Sequence, residues 1–144
     1  MLKVEDVMTR NVITVKQDTP IYEAMAVMRT NDITGMPVID DDMNLVGVIT
    51  EKDVLSLFGS EKDENKTTVG SFMTRPAVSY RGDESLQSVC DFMIVNYFRR
   101  VPVVSKKGNL VGIISRPDII DYIIEQRQQN AQTHSKTSVT SSVT

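Results

Sequence analysis

The sequence has one cysteine, Cys90, and one histidine, His134. These shortages exclude a disulfide framework, a zinc site built from Cys and His, and a Ser–His or Cys–His catalytic pair. Cys90 falls on an apolar helical stripe, so we interpret it as a small buried hydrophobe. His134 falls in a polar C-terminal stretch, where we expect it to be solvated. The residue types present therefore predict no metal site and no nucleophilic enzyme.

Excess basic charge and long apolar runs are also lacking. Sixteen Lys and Arg stand against nineteen Asp and Glu, for a net charge of −3. Nucleic acids and anionic membranes bind to a dominant basic face, so we expect neither as a partner. No apolar run approaches the roughly 20 residues that span a bilayer. Glu5 and Asp6 lie where a secretory signal would be basic or apolar, which favours a cytoplasmic protein.

An ungapped internal repeat is the main feature that the sequence does have. Its two copies are 65 positions apart throughout, as shown by the pairs Pro37 and Pro102, Gly47 and Gly112, and Asp53 and Asp118. We therefore divide the chain into a first repeat with its linker (1–66), a second repeat (67–127) and a polar tail (128–144). The tail is Gln/Asn-rich and then Ser/Thr-rich, so we expect it to be disordered or of artificial origin.

Each repeat predicts a β-α-β-β-α unit. A short opening segment (4–9) and an extended run (12–15) precede a helix with apolar residues at helical spacing, and two β-branched strands follow around a turn at 40–44. The last helix is predicted over 51–58, with Gly59 as its stop signal, and its counterpart over 116–126. The fold class is thus α+β. Two such units would bury their open faces by packing about a pseudo-twofold axis, which would form one compact module with two clefts.

Both last helices begin with a Ser or Thr followed three residues later by an Asp. These pairs, Thr50 with Asp53 and Ser115 with Asp118, match a capping box, in which each side chain accepts from the other residue's backbone N–H. A helix N-terminus also favours an anion. The two pairs can therefore be simple caps, or caps that also face a ligand.

The pattern h-P-V-h, a turn, then h-h-G-h-h-[ST]-x-x-D resembles the CBS domain, named for cystathionine β-synthase. The resemblance covers residues 4–124 and includes Met8-Thr9 and Met73-Thr74. It implies a tandem pair, or Bateman module, that often forms a homodimer. It also implies that the clefts take AMP, ADP, ATP, S-adenosylmethionine or dinucleotides as effectors, with no required cofactor, and that the module regulates a partner, here in trans.

The resemblance implies a ligand site in each cleft. In the cleft of the second repeat, Asp118 would accept from the ribose hydroxyls, and Ser115 would bind the ribose or phosphate. Arg100, with Arg99 beside it, would hold the phosphate, because a guanidinium is a fixed bidentate donor. The other residues implied for this cleft are Val101, Pro102, and, bracketing the adenine from the opposite repeat, Val12 and Ile13.

The cleft of the first repeat would use the equivalent positions. Its implied residues are Met36, Pro37, Thr50, Asp53, and from the opposite repeat Ala77 and Val78. This cleft departs from the pattern at Thr34-Gly35, which stand where the second repeat has Arg99-Arg100. Because it has no guanidinium of its own, we expect the two sites to be unequal.

Three functional classes follow from these features. The leading hypothesis is a non-catalytic sensor in which an adenosyl ligand changes the angle between the repeats. The alternative is a ligand-independent dimerisation or adaptor module in which the aspartates serve only as caps. An enzyme ranks below both, because only the carboxylates of Asp53 and Asp118 could act on a bound ligand.

Overall fold

A computed structural model of the chain describes residues 1–59 and 67–135, and the side chains as far as residue 132. Four helices and five strands form the described fold. The helices are α1 (Ile21–Thr30), α2 (Glu51–Leu55), α3 (Leu86–Val95) and α4 (Arg116–Ser135). The strands are β1 (Gly35–Ile39), β2 (Leu45–Thr50), β3 (Tyr80–Arg81), β4 (Arg100–Val104) and β5 (Leu110–Ser115). The α+β class predicted from the repeat is confirmed.

The two hairpins are built alike. Strands β1 and β2 are antiparallel with Gly35 opposite Thr50, and β4 and β5 are antiparallel with Arg100 opposite Ser115. Each hairpin has a register irregularity near its turn. The two turns meet across the molecule, where Asn44 and Asn109 form an antiparallel bridge. Because these two residues are equivalent in the repeat, their contact lies at the pseudo-twofold axis.

The opening segments cross over between the repeats. Thr9 forms an antiparallel bridge with Ile113, and its equivalent Thr74 forms one with Val48. Each opening segment contains a single 3₁₀ turn, at Val4–Asp6 and at Val69–Ser71. Each repeat in the sequence therefore contributes its first few residues to the other repeat's sheet.

The recurrence of glycine at the equivalent position of β2 and β5 has a steric cause in this crossover. A Cβ added at Gly47 would lie 2.8 Å from the carbonyl oxygen of Thr74, and one added at Gly112 would lie 2.8 Å from that of Thr9. Carbon and oxygen do not approach this closely without displacing the backbone. Glycine is thus required wherever an opening segment passes over a hairpin.

The hydrophobic core is divided into two clusters that follow the crossover. One cluster joins Val4 to residues of α3, β4, β5 and α4, and Leu2, Val7 and Met8 pack against it. The other joins Val69 to residues of α1, β1 and β2, with Phe72 and Met73 packed against it. Both Val4 and Val69 are fully buried. Because burying a valine contributes roughly 1.5–3 kcal/mol, each crossover stabilises the half of the molecule that receives it.

Three sequence expectations need correction. The run at 12–15 forms only an isolated parallel bridge between Val15 and Val38, whereas the equivalent run (77–80) ends at Tyr80, the first residue of the two-residue strand β3. Helix α2 ends at Leu55, and turns follow it up to Gly59, whose φ of +83° suits a helix stop. Helix α4 continues to Ser135, so residues 128–135 of the expected disordered tail are helical. Gln and Ala are good helix formers, and they extend the helix without an apolar stripe.

The rest of the tail (136–144) and most of the linker (60–66) lie outside the described residues. Within the described part of the chain, no helix combines the length and the apolar character that a bilayer crossing demands.

Candidate functional site

Two clefts lie where the repeats meet. We call them the large cleft, of about 530 Å³, and the small cleft, of about 240 Å³. The large cleft is lined by β1, β2 and the start of α2 from the first repeat and mainly by residues 97–100 and Pro102 from the second. The small cleft is lined by Thr9, residues 11–13, Ile33 and part of β1 from the first repeat, and by Arg100, the end of β5 and the start of α4 from the second. Only the large cleft has the 300–1,000 Å³ typical of small-molecule sites.

The large cleft combines apolar walls with a basic edge. Met36, Pro37 and Val78 line it, as the resemblance implied. Its charged residues are Lys52, Arg99 and Arg100 against a single acid, Glu51. Thr50 also lines it, at the N-terminus of α2. The excess of cations suits a ligand with an anionic group and an apolar body.

This arrangement corrects the expectation about arginines. The first repeat has no guanidinium at 34–35, but the second repeat supplies Arg99 and Arg100 to the same cleft. Arg99 does not line the small cleft, where it was expected, because Arg99 precedes β4 and lies on the large-cleft side. Arg100 lines both clefts. A residue of one repeat can therefore line the cleft that was assigned to the other repeat.

The small cleft contains the other expected residues. Val12, Ile13, Arg100, Ser115 and Asp118 all line it. Among the described residues that line it, Arg100 is the only basic one. The small cleft therefore depends on one guanidinium, whereas the large cleft has three cations.

Both capping boxes form. The backbone N–H of Ser115 donates to Asp118 at 2.9 Å, and the Ser115 hydroxyl accepts from the Asp118 N–H at 3.2 Å. The backbone N–H of Thr50 donates to Asp53 at 3.0 Å, and the Thr50 hydroxyl accepts in return at 3.3 Å. The capping interpretation of these pairs is confirmed.

Each aspartate also accepts from the crossed-over segment. Thr9 Oγ1 donates to Asp118 Oδ1 at 2.9 Å, and Thr74 Oγ1 donates to Asp53 Oδ1 at 3.0 Å. The Met-Thr pair of each opening segment is thereby tied to the helix cap of the opposite repeat. Asp118 Oδ1 and Asp53 Oδ1, which could bind a ribose hydroxyl, already accept these hydrogen bonds, although each oxygen has a further lone pair.

Besides Arg99, four predicted residues lie differently from expectation. Asp53 and Ala77 do not line the large cleft. Val101 is fully buried in the core and lines neither cleft, because alternate residues of β4 point away from the seam. Pro102 lines the large cleft instead of the small one.

The sequence reasoning missed several residues of the large cleft. The most informative are Lys52, Tyr97 and Phe98. Lys52 lies inside the T-x-x-D motif, next to the helix N-terminus, so its position carried a usable signal. Tyr97 and Phe98 directly precede the arginines, and Phe98 packs against Phe92 with ring centroids 5.1 Å apart.

Cys90 is half-buried and packs against the core. Burial, with a smaller contribution from Asp91, raises the pKa of its thiol, which suits the predicted role as a small hydrophobe. Across residues 1–59 and 67–135, no three His, Cys, Asp or Glu side chains are grouped in a way that could hold a metal ion.

Comparison with known proteins decides the family. The family model described as "CBS domain" matches residues 4–60 and again residues 69–125. The chain belongs to the CBS domain family. Its two matched segments make it a CBS pair, or Bateman module, as the sequence pattern predicted.

Two solved CBS-pair structures resemble this one closely. The crystal structure of CBSX2 in complex with AMP, a protein of Arabidopsis thaliana, has a TM-score of 0.80 at 30% identity, covering 88% of this chain and 99% of that one. The CBS domain pair of protein MJ0100, in complex with 5′-methylthioadenosine and S-adenosyl-L-methionine, has a TM-score of 0.72 at 28% identity, covering 88% and 98%. Both complexes hold an adenosine-containing ligand.

Relatives in sequence include longer proteins. Protein MJ1225 of Methanocaldococcus jannaschii is 38% identical over 117 residues, which cover 81% of this chain and 41% of that protein. The inosine-5′-monophosphate dehydrogenase of the same organism is 36% identical over 119 residues, covering 82% and 23%. This CBS pair thus spans less than half the length of either relative.

Proposed function

We propose that this CBS pair is a non-catalytic sensor that binds an adenosine nucleotide or adenosyl ligand in the large cleft. The observation that carries the proposal is the composition of that cleft, in which Met36, Pro37 and Val78 provide apolar walls and Lys52, Arg99 and Arg100 provide positive charge. A nucleotide has the matching division between an apolar base and an anionic phosphate. CBSX2 and MJ0100, both of similar fold, bind ligands of this class.

A regulatory role fits better than catalysis. Asp53 and Asp118, the carboxylates considered for an enzyme, are both engaged as helix caps and as acceptors from threonine hydroxyls. A ligand at the seam would instead contact both repeats, and so favour one angle between them. We propose that this change of angle is read by a separate protein in trans. A cytoplasmic location stays a prediction from the sequence.

Thermal unfolding tests ligand binding. The protein is melted alone and with AMP, ADP, ATP, S-adenosylmethionine or NADH. A ligand at about 100 times its Kd adds roughly 2.7 kcal/mol, which raises the midpoint by several degrees. Arg99→Ala should remove most of the rise caused by a phosphorylated ligand, because Arg99 lines the large cleft. Lys107→Ala, on the exposed turn after β4, is the matched control. If every nucleotide leaves the midpoint unchanged, the adaptor hypothesis replaces the sensor.

We also propose that the CBS pair forms a homodimer through the second repeat. Helices α3 and α4 expose a group of apolar side chains. At the positions equivalent to those of α3, the first repeat carries Arg29, Thr30 and Asp32, whereas its equivalents of Ile120 and Ile123 are the exposed Leu55 and Phe58. The exposed apolar group comprises Ile94, Val95, Tyr97, Ile120, Ile123 and Ile124. A second copy placed with its second repeat against this face would cover apolar surface with apolar surface.

The dimer proposal is tested by sedimentation. Ile94→Glu should shift the protein to a monomer, because it places a charge in the covered face. Arg29→Glu, at the equivalent position of the first repeat, is the control and should leave the mass unchanged. A wild-type monomer at high concentration, or equal effects of the two variants, would contradict the proposal.

A further inference from the structure

Arg100 borders both clefts, and its position is unusual for that reason. Four residues line the two clefts in common: Gly35, Pro37, Arg100 and Ile113. Among these, only Arg100 has a polar side chain. It is therefore the one side-chain charge and hydrogen-bond donor that the two clefts share among their described lining residues.

The repeat symmetry leaves Arg100 without a counterpart. Arg100 is opposite Ser115 in the second hairpin, and at the equivalent place in the first hairpin Gly35 is opposite Thr50. A fully symmetric pair with arginine at both positions would provide one guanidinium for each cleft. This chain has arginine at only one of the two positions, and that arginine borders both clefts.

The Arg100 side chain also has unused hydrogen-bonding capacity. Its Nε is shielded from solvent and has no hydrogen-bond partner among the described residues. Buried polar groups are normally satisfied, so the guanidinium gains a missing partner if it turns toward an acceptor in either cleft. A phosphate is such an acceptor and matches the guanidinium fork.

The two clefts differ in how many basic residues line them besides Arg100. The large cleft also has Lys52 and Arg99, whereas the small cleft has no other basic lining residue. An anion in the large cleft that engages Arg100 removes the small cleft's only cation. By linkage, an anion in the small cleft must weaken binding in the large cleft by the same factor.

We propose that the two clefts bind phosphorylated ligands with negative cooperativity, because they compete for the guanidinium of Arg100. This inference rests on the proposed function, since it requires that nucleotides bind at the seam. The two ligands compete for a charge-assisted hydrogen bond with Arg100. Binding of the first ligand should therefore weaken the affinity for the second about tenfold to a hundredfold.

Two blocked variants give the affinity of each cleft alone. Val78 lines only the large cleft and its equivalent Ile13 only the small one, and both are partly exposed, at 42% and 39%. Val78→Trp should close the large cleft and Ile13→Trp the small cleft without disturbing the core. AMP is titrated into the wild type and both variants by calorimetry, and a thermal melt of each variant checks that it folds.

Negative cooperativity predicts that the second AMP binds to the wild type at least tenfold more weakly than to the weaker of the two blocked variants. A single AMP per wild-type chain, together with one AMP in each blocked variant, would be its extreme form. Wild-type constants equal to those of the blocked variants would overturn the inference and leave the proposed function intact. No binding to any of the three proteins would overturn the proposed function itself.

Two arginine variants test the mechanism without relying on the tryptophan substitutions. Arg100→Ala should weaken both sites and leave them independent, so that the two stepwise constants approach each other. Arg99→Ala should weaken only the large cleft and keep the coupling. If the coupling survives Arg100→Ala, or if it is lost equally in Arg99→Ala, Arg100 does not carry it.

Discussion

The two halves of this CBS pair share one backbone plan, yet their clefts differ more than their sequences suggest. The first repeat has Thr34-Gly35 where the second has Arg99-Arg100, which predicts unequal sites, with no local guanidinium for phosphate in the first. In the structure, the larger and more basic cleft is the one beside the first repeat. A site at the seam between the repeats therefore belongs to neither repeat alone. Four comparisons of residues at equivalent positions test how far the two halves can be exchanged.

The glycines under the crossovers should give the largest effects. Gly112→Ala would place a Cβ 2.8 Å from the Thr9 carbonyl oxygen and 2.6 Å from Met8 Sδ, and Gly47→Ala would place one 2.8 Å from the Thr74 carbonyl oxygen. Overpacking of this kind costs about 1–3 kcal/mol. We expect both variants to lose stability in urea unfolding, with Gly112→Ala losing at least as much.

Gly59→Ala is the control for this pair. Gly59 has a positive φ of +83°, but nothing lies within 4 Å of an added Cβ, so it reports the conformational cost alone. If either Gly47→Ala or Gly112→Ala proves milder than Gly59→Ala, the crossovers are not as close as described.

Substitutions of Asp118 and Asp53 should differ in their effect on AMP binding. Asp118 lines the small cleft, whereas Asp53 does not line the large one. Asp118→Asn should therefore weaken AMP binding in the small cleft about tenfold, the value of one lost charge-assisted hydrogen bond. Asp53→Asn should leave AMP binding in the large cleft unchanged. Calorimetry measures both, and a loss of large-cleft affinity in Asp53→Asn would restore the symmetric assignment made from the sequence.

The threonines of the opening segments should have equal effects. Thr9 and Thr74 donate to Asp118 and Asp53 at nearly the same distance, 2.9 and 3.0 Å. Replacing either by the isosteric valine should cost about 1 kcal/mol, the usual net value of a hydrogen bond. A double-mutant cycle of Thr74→Val with Asp53→Ala isolates the interaction. A cost confined to one of the two threonines would show that only one crossover is held this way.

The smallest expected effect is on the stability of the protein at alkaline pH. Tyr80 lies in the second half where the first has Val15, and burial, followed by the charges of Glu84 and Asp91, raises the pKa of Tyr80. A phenol whose folded pKa exceeds its unfolded value of about 10 loses its stabilising contribution as pH rises through the folded pKa. Tyr80→Phe should therefore lose less stability than the wild type between pH 8 and pH 11.

Urea unfolding at the two pH values measures this difference. Tyr22→Phe, on the exposed side of α1, is the control and should behave as the wild type does. If Tyr80→Phe keeps the alkaline sensitivity of the wild type, burial of Tyr80 is not its source.

Local patterns were enough to predict the hairpins, the capping boxes and the α+β class. Pro37 and Pro102 marked the starts of buried strands, and the turn residues between strands fixed where each hairpin reverses. The crossover was not predictable in this way, because the bridge from Thr9 to Ile113 joins residues far apart in sequence. For the same reason, the contribution of Arg99 to the cleft of the opposite repeat was hidden. The extension of α4 was missed because the prediction relied on apolar spacing, which residues 128–135 lack.

Because the opening segments are exchanged between the repeats, the order of synthesis limits when each half of the core can form. Val4 leaves the ribosome first but has no finished surface to dock on until the strands of the second half exist. The first half, in turn, lacks Val69 until translation has passed the linker. Cleaving the chain between residues 59 and 67 should yield two fragments whose cores are incomplete alone. The fragments should reassociate when mixed, because each supplies the opening segment that the core of the other lacks.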